Sequence, residues 1–321
     1  MHPLNLNQIM LAEGVGRAAL CAVVDVSLAL APITRKGDAV THPSIRAHPS
    51  IRANPSIRNV LSIAGSDPSG GAGIQADLKT FAARGAYGMA AITALTAQNT
   101  QGVCGVHSVP AEFVAQQIAA VFADVRVDAV KIGMIANGEI ADAVAEALRD
   151  RSISVVLDPV MIAKGGASLL DQKAILVLVR HLLPKATLIT PNLPEAAALL
   201  GESEAADRAT MQAQAQKLLG LGAQAVLLKG GHLPGEDSPD VLVYGADTIW
   251  LEGKRIHTAN THGTGCSLSS AIAAELAKGL SVADAVVVAK AWLGGAIHGA
   301  DQLEVGTGHG PVHHFHALWP A

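Results

Sequence analysis

The chain has 321 residues, half of them hydrophobic, with 23 Lys and Arg against 27 Asp and Glu and a net charge of −4. That length and apolar content supply core for one large α/β domain or two small ones, and the scattered basic residues form no stripe of the kind nucleic acids require. Three cysteines, Cys21, Cys104 and Cys266, stand far apart with no CxxC pair, so neither a metal framework nor a disulfide scaffold is indicated and a reducing, cytoplasmic setting is expected.

Residues 1–58 differ in character from the rest. "HPSIRAHPSIRANPSIRN" repeats one hexapeptide three times, each copy carrying a proline and too few apolar groups to bury a core, so a disordered extension is expected here. Upstream, "AALCAVVDVSLALAP" joins an apolar run to an Ala-x-Ala, as secretion signals do, but Asp25 interrupts it, Glu13 precedes it and Arg17 is the only basic residue before it. The run is also too short to span a bilayer, and no membrane partner is expected.

From Asn59 onward the pattern alternates. "NVLSIAG" is a short β-branched run, "GIQADLKTFAARGA" has helical spacing, "GMAAITALTA" is apolar again and "AEFVAQQIAAVFADV" returns to helical spacing. "DAVKIGM", "SVVLDPVM", "ATLITPN" and "AVLLKGG" read as strands, separated by the helical stretches "EIADAVAEALRD", "QKAILVLVRHLL" and "DRATMQAQAQKLLG". Strands this uniformly apolar are buried on both faces, which predicts an α/β domain over 59–321 with a mostly parallel sheet covered by helices. "DVLVYG", "DTIWLEG" and "KRIHTAN" follow one another closely and predict an antiparallel addition. In such sheets ligands bind beyond the carboxyl ends of the strands.

The unusual residues gather at those ends. "GSDPSGGAG" follows the first strand, its glycines permitting close approach of backbone to ligand and its Asp67 able to accept hydrogen bonds; it also reads as a plain strand-to-helix turn. It matches neither GxGxxG nor GxxxxGK followed by Ser or Thr, which speaks against a nicotinamide oxidoreductase or a Walker-type site. Gln98 in "TAQNTQG" suits an aminopyrimidine edge or the tying down of a loop. Asp158 in "LDPVMIAKGG" suits a cation, a water or a loop anchor, and Lys164 lies in the Gly-flanked segment beyond it. Asn192 and Glu195 in "TPNLPEA" can face one site, or form a helix cap. With Asp158 they would surround a hydrated magnesium ion, which keeps several waters and needs few protein ligands. Lys229 in "LLKGGH" adds a positive charge at the next strand end.

"ANTHGTGCSLSS" reads as a glycine turn opening into a helix with Cys266 in its first turn. Converging N–H groups and the partial positive charge of a helix start suit an anion, and the same field lowers a thiol's pKa towards neutrality. Catalysis and packing are both open for the thiol on these grounds. His309, His313, His314 and His316 lack HExxH spacing and any carboxylate or cysteine companion, so no metal is expected there.

"AGSDPSGGAGIQADLKTF", "ITALTAQNT", "KIGM", "LDPVM", "TPNLPEA", "LLKGGH", "THGTGCS" and "GHGPVHHFH" occur in one order along the chain. In that order they resemble the ribokinase-like kinases, and most closely the bacterial hydroxymethylpyrimidine/phosphomethylpyrimidine kinases of thiamin biosynthesis, from about residue 59 to the end. The resemblance implies a three-layer α/β/α fold and ATP-dependent phosphorylation of 4-amino-5-hydroxymethyl-2-methylpyrimidine, then of its monophosphate. It implies that Cys266 helps deprotonate the attacking hydroxyl while N–H groups of Gly263, Thr264, Gly265 and Cys266 stabilise the transferring phosphoryl. Gln98, Asp67, Ala72 and the backbone at Val160 would surround the pyrimidine. Asp158, Asn192 and Glu195 would organise magnesium and water, and Lys229 and Lys164 would meet the phosphates. A homodimer is implied as well. Pyridoxal kinase is the nearest rival on the same fold, and a non-catalytic pyrimidine-binding protein is a further alternative. The amino-terminal extension departs from the family pattern.

Overall fold

The computed structural model describes residues 56–161 and 172–319. The apolar amino-terminal run, the first two hexapeptides, Cys21 and Lys164 lie outside the described residues. Arg58, the last residue of the expected extension, is already tied to the body: its carbonyl accepts from Tyr87 N–H at 2.8 Å and its guanidinium pairs with Asp128 at 3.4 Å.

The elements follow as β1 (Asn59–Ala64), α1 (Gly73–Ala83), β2 (Tyr87–Ile92), β3 (Ala94–Asn99), β4 (Gly102–Ser108), α2 (Ala111–Asp124), β5 (Ala129–Ile132), α3 (Gly138–Ala147), β6 (Ser154–Leu157) and α4 (Gln172–Val177). A π turn and a 3-10 turn carry α4 on to Lys185. Then come β7 (Leu188–Ile189), α5 (Leu193–Leu200), α6 (Arg208–Leu219), β8 (Ala225–Lys229), β9 (Asp240–Tyr244), β10 (Asp247–Leu251), α7 (Thr264–Ala277) and α8 (Val282–His298). Among the described residues, eight strands form one sheet in the order β10-β9-β8-β7-β6-β5-β1-β2. It is parallel from β2 to β8, and β9 and β10 add antiparallel at one edge.

Two hydrophobic clusters lie on the two faces of this sheet. Val60, Ala129, Val156, Leu227 and Leu242 pack with Phe81, Ile272 and Leu293 of α1, α7 and α8. Leu61, Ile63, Ile132, Leu157 and Leu228 pack with residues of α2 to α6 on the other face. Successive strand residues point to opposite faces, and this alternation decides where the polar strand residues go. Ser62 follows Val60 by two, Lys131 follows Ala129, Asp158 follows Val156, and Lys229 follows Leu227. All four therefore project towards the face covered by α1 and α7, and hydrogen bonds of Ser62 and Lys131 to Asp77 of α1 and of Asp158 to Ser269 of α7 bear this out.

Two sequence expectations are corrected. "GMAAITALTA" is two strands, not one: the chain breaks at Thr93, whose N–H donates to Ala64 and whose hydroxyl donates to the Met134 carbonyl at 2.6 Å. Anchored there, the chain leaves the main sheet and forms the hairpin of β3 and β4, with a register shift at Ala97/Gln98. "KRIHTAN" is not a strand but carries only an isolated bridge between Asp237 and Lys254. Its Arg255 guanidinium donates to the carbonyls of Gly231, Leu233 and Gly235, so it fastens the loop after β8 rather than extending a ladder.

Candidate active site

The loop from Gly65 to Ala72 is built around one carboxylate. Asp67 is buried and accepts from Ser69 N and Oγ, from Gly71 N at 3.1 Å and from Ala72 N at 2.8 Å. His262 Nε2 stands 2.8 Å from Oδ2, the oxygen that Gly71 and Ala72 also reach. Burial alone would raise this carboxyl, but the bonds from His262, Ser69 and Ala72 outweigh it and hold the group down at about 2. Asp67 therefore acts as the organising anion of the loop. A folded pKa below the unfolded value of about 3.9 stabilises the fold above that value and loses the contribution as pH falls towards 2. Urea unfolding of wild type and Asp67→Asn should differ by about 2 kcal/mol near neutral pH, and that gap should shrink by about 1 kcal/mol near pH 3; a gap independent of pH would contradict this assignment.

Gln98 is brought to the same place from β3, its Nε2 lying 3.3 Å from His262 Nε2. His262 Nε2 thus stands within hydrogen-bond reach of both Asp67 and Gln98. Thr96 Oγ1, which donates to the Ser66 carbonyl at 2.9 Å, lies 3.2 Å from the Gln98 carboxamide oxygen.

The second half of the site is the turn into α7. Gly263 sits at φ +75°, the left-handed region that favours glycine, and a Cβ there would come within 1.7 Å of the Gly71 carbonyl oxygen. The absent side chain lets the α7 turn lie directly on the Asp67 loop. The backbone N–H of Gly73, at the first turn of α1, lies near enough to the Cys266 sulfur to favour its anionic form. Two helix starts thus converge on one thiol. A Cβ on Gly265 would lie 3.3 Å from Lys229 Nζ and 3.6 Å from Asp158 Oδ2, so the charged pair stands directly over the turn.

That pair is tight. Lys229 Nζ is 3.1 Å from Asp158 Oδ1, which also accepts from Thr190 Oγ1 at 3.0 Å. Burial raises Asp158, but the ammonium groups of Lys229 and Lys131 prevail and keep it ionised. Burial likewise opposes the charge on Lys229, and Asp158 and Glu195 restore it. Both earlier readings of Asn192 and Glu195 hold together: they form a capping box at α5, with reciprocal 2.8 Å bonds, and both line the cleft. Burial pushes the Glu195 carboxyl up to about 7, against Lys229 and with the help of Asp158. Val160 also lines the cleft, and its N–H is occupied by the Asp158 carbonyl at 2.8 Å.

The expectation for the thiol is reversed in direction. Burial pushes Cys266 up to about 11, although Lys131 and the Gly73 N–H pull it down. The solvation that the sulfur loses outweighs the help of the Lys131 charge and the Gly73 N–H, a balance that the glycine turn alone does not reveal. Cys104 lies within β4 and is exposed. The carboxyl-terminal histidines pack rather than cluster on the cleft: His314 Nε2 meets Ser267 Oγ at 3.0 Å and burial holds His314 down at about 3.

A cleft of about 1160 Å³ runs from Thr261, His262 and Cys266 past Asp158, Glu195 and Lys229 to an apolar wall of Ile249, Trp250, Ile256, Val287 and Leu293. It exceeds the roughly 300–1,000 Å³ usual for one small-molecule site. Gln98, Asp67 and Ala72 stand behind His262 rather than in this wall. Sequence reasoning passed over His262 and the apolar wall; the first lay inside a quoted motif, and the second carries no motif at all.

The phosphomethylpyrimidine kinase family model matches residues 67–313. The hydroxymethylpyrimidine/phosphomethylpyrimidine kinase of Escherichia coli (strain K12) is 55% identical over 262 residues, 81% of this chain and 98% of that protein. Among solved structures, an ADP complex of Bacillus subtilis pyridoxal kinase superposes with a TM-score of 0.75 at 39% identity, over 81% of this chain and 98% of that one. Phosphomethylpyrimidine kinase from Clostridium difficile 630 gives a TM-score of 0.67 at 44% identity, over 75% and 99%. With the glycine turn, the strand-end carboxylate and the lysine all inside the matched span, the chain belongs to the phosphomethylpyrimidine kinase family and carries its ribokinase-like α/β fold.

Proposed function

We propose that this chain transfers a phosphoryl group from ATP to 4-amino-5-hydroxymethyl-2-methylpyrimidine and then a second one to the monophosphate, supplying the diphosphate for thiamin biosynthesis. The observation that carries the reading is the convergence of two helix starts on Cys266, beneath Lys229 and Asp158. Phosphoryl transfer depends chiefly on positioning and on neutralising developing charge. The N–H groups of Gly263, Thr264, Gly265 and Cys266 and the Lys229 ammonium supply both. Gln98, beside Thr96 and His262, would meet the pyrimidine edge, together with Asp67, Ala72 and Val160.

ATP as donor accords with the ADP bound by the Bacillus subtilis relative. Magnesium suits the donor set: Asp158 and Glu195 repel each other strongly enough that Asp158 helps raise Glu195, and a hydrated dication between such carboxylates relieves that repulsion. When bound it would neutralise charge on the donor phosphates. We assign Lys164 to the phosphates, residues 59–321 to the kinase unit and the chain to the cytoplasm, in keeping with its widely spaced cysteines. A homodimer through the β3–β4 side accords with exposed Leu95 and Val106 there and with Tyr87 and Phe113 nearby in the chain.

Incubating the purified protein with ATP, magnesium and the pyrimidine, and following products by mass, should give monophosphate and then diphosphate. No phosphorylated pyrimidine, or a stop at monophosphate, would refute the corresponding step. Pyridoxal added as competitor tests the vitamin B6 reading that the pyridoxal kinase relative suggests.

The two transfers ask different things of Cys266. The first nucleophile is a neutral alcohol that needs a base, whereas the second is a phosphate oxygen with a second pKa of about 6. The thiolate of a thiol near 11 is a strong base, but little of it is present at neutral pH. The first transfer should therefore accelerate with pH through the neutral range, and the second should level off above about pH 6. Cys266→Ala should slow the first about 100-fold and the second less than about tenfold; equal losses in single-turnover assays would refute this division.

A further inference from the structure

Behind the anion-binding turn lies an ion pair that none of the roles above uses. Lys131 of β5 and Asp77 of α1 are both 0% exposed. Lys131 Nζ donates to both Asp77 oxygens, at 2.8 and 2.9 Å. The same carboxylate accepts from Ser62 of β1 at 2.6 Å and from Ser270 of α7 at 2.7 Å. Four elements are thereby joined at one point, and Ser270 is one helical turn beyond Cys266 on α7. A buried ion pair is a poor device for stability, because an apolar pair of similar volume serves as well or better. Its location gives it another use. The Lys131 charge acts on both Cys266 and Asp158, and at Cys266 its effect exceeds the opposing one of Asp77.

We propose that Lys131 is a positioning residue for phosphoryl transfer: clamped by Asp77 and locked to α7 through Ser270, its ammonium is a fixed positive charge behind the turn that draws anionic groups to Cys266 and the transferred phosphoryl. The proposal rests on the kinase reading for the phosphoryl but not for the charge at the sulfur. The other charged groups acting on Cys266 are Asp158 at the end of β6 and Lys229 at the end of β8, and neither is altered in the test.

The variant is Lys131→Met with Asp77→Asn, neutral as a pair and close in volume to the original, with Lys131→Arg as the charge-retaining companion. The readout is the ratio of Cys266 carboxymethylation by anionic iodoacetate to carbamidomethylation by neutral iodoacetamide, measured by peptide mass at one pH. Thiolate fraction and accessibility move both rates together, whereas the local potential moves only the anionic one. The ratio should fall at least about threefold in the double variant and stay within about 1.5-fold of wild type in Lys131→Arg. Single-turnover phosphoryl transfer should fall at least about tenfold in the double variant with KM for the pyrimidine within about twofold. An unchanged ratio in a folded double variant overturns the proposal; should that variant not fold, a threefold fall in Lys131→Arg overturns it, and a retained ratio supports it. Because alkylation needs no pyrimidine, a lowered ratio in a protein that phosphorylates no pyrimidine would refute the substrate reading and leave the charge at the sulfur standing.

Discussion

Gly263→Ala should abolish nearly all phosphoryl transfer, by a factor on the order of 10³ in kcat, through a single methyl group. Two independent effects act at that position. Alanine at φ +75° is strained by about 1–2 kcal/mol, and the added Cβ would meet the Gly71 carbonyl oxygen at 1.7 Å. No side-chain rotation can relieve a backbone contact of that kind. The Asp67 loop and the α7 turn must separate, which withdraws the Gly73 N–H from the Cys266 sulfur and pulls His262 away from Asp67. Gly265→Ala is the contrasting control. Its Cβ would meet the Lys229 ammonium at 3.3 Å, the far end of a flexible side chain, so a loss of about tenfold is expected. Initial rates with saturating ATP separate the two, and urea unfolding reports how much of the first loss is strain. A Gly263→Ala enzyme within tenfold of wild type would show that charge does not collect at this turn.

Much of this arrangement could be read from residue order, because two simple periodicities generate it. Uniformly apolar strands announced a sheet buried on both faces, and strand alternation sends Lys131, Asp158 and Lys229 to the face that α7 covers. The same rule shows why the rest was hidden. The break at Thr93 depends on bonds to Ala64 and Met134, the latter 41 residues away, and no local pattern encodes it. The reach of Arg255 to the carbonyls of Gly231, Leu233 and Gly235 turned an expected strand into a clasp, again through long-range bonds. Cys266 was misjudged in direction because solvation is a property of the assembled site. The glycine turn shows the donors around the sulfur but not the solvation that the sulfur loses on assembly. Asn192 and Glu195 were read as cap or as site, and one capping box lining the cleft satisfies both.

Lys229→Met should both unsettle the fold and silence the enzyme, and the two losses can be separated. Asp158 is 2% exposed and keeps its charge by virtue of Lys229, with Lys131 second. Removing Lys229 leaves a buried carboxylate short of its nearest counter-charge, which costs about 3 kcal/mol, partly relieved if Asp158 takes up a proton. The activity loss has a different origin, the missing ammonium over the turn where Gly265 lies within reach of it, and should amount to about 100-fold or more in kcat/KM. Adding Asp158→Asn to Lys229→Met removes the stranded charge and should restore most of the stability, since the carboxamide oxygen can still accept from Thr190. It should restore none of the activity, because neither the positive charge nor the strand-end carboxylate returns. Urea midpoints and initial rates on the single and double variants decide the matter: recovery of both quantities would mean that Lys229 serves only to neutralise Asp158, whereas recovery of stability alone assigns its charge to the phosphoryl group.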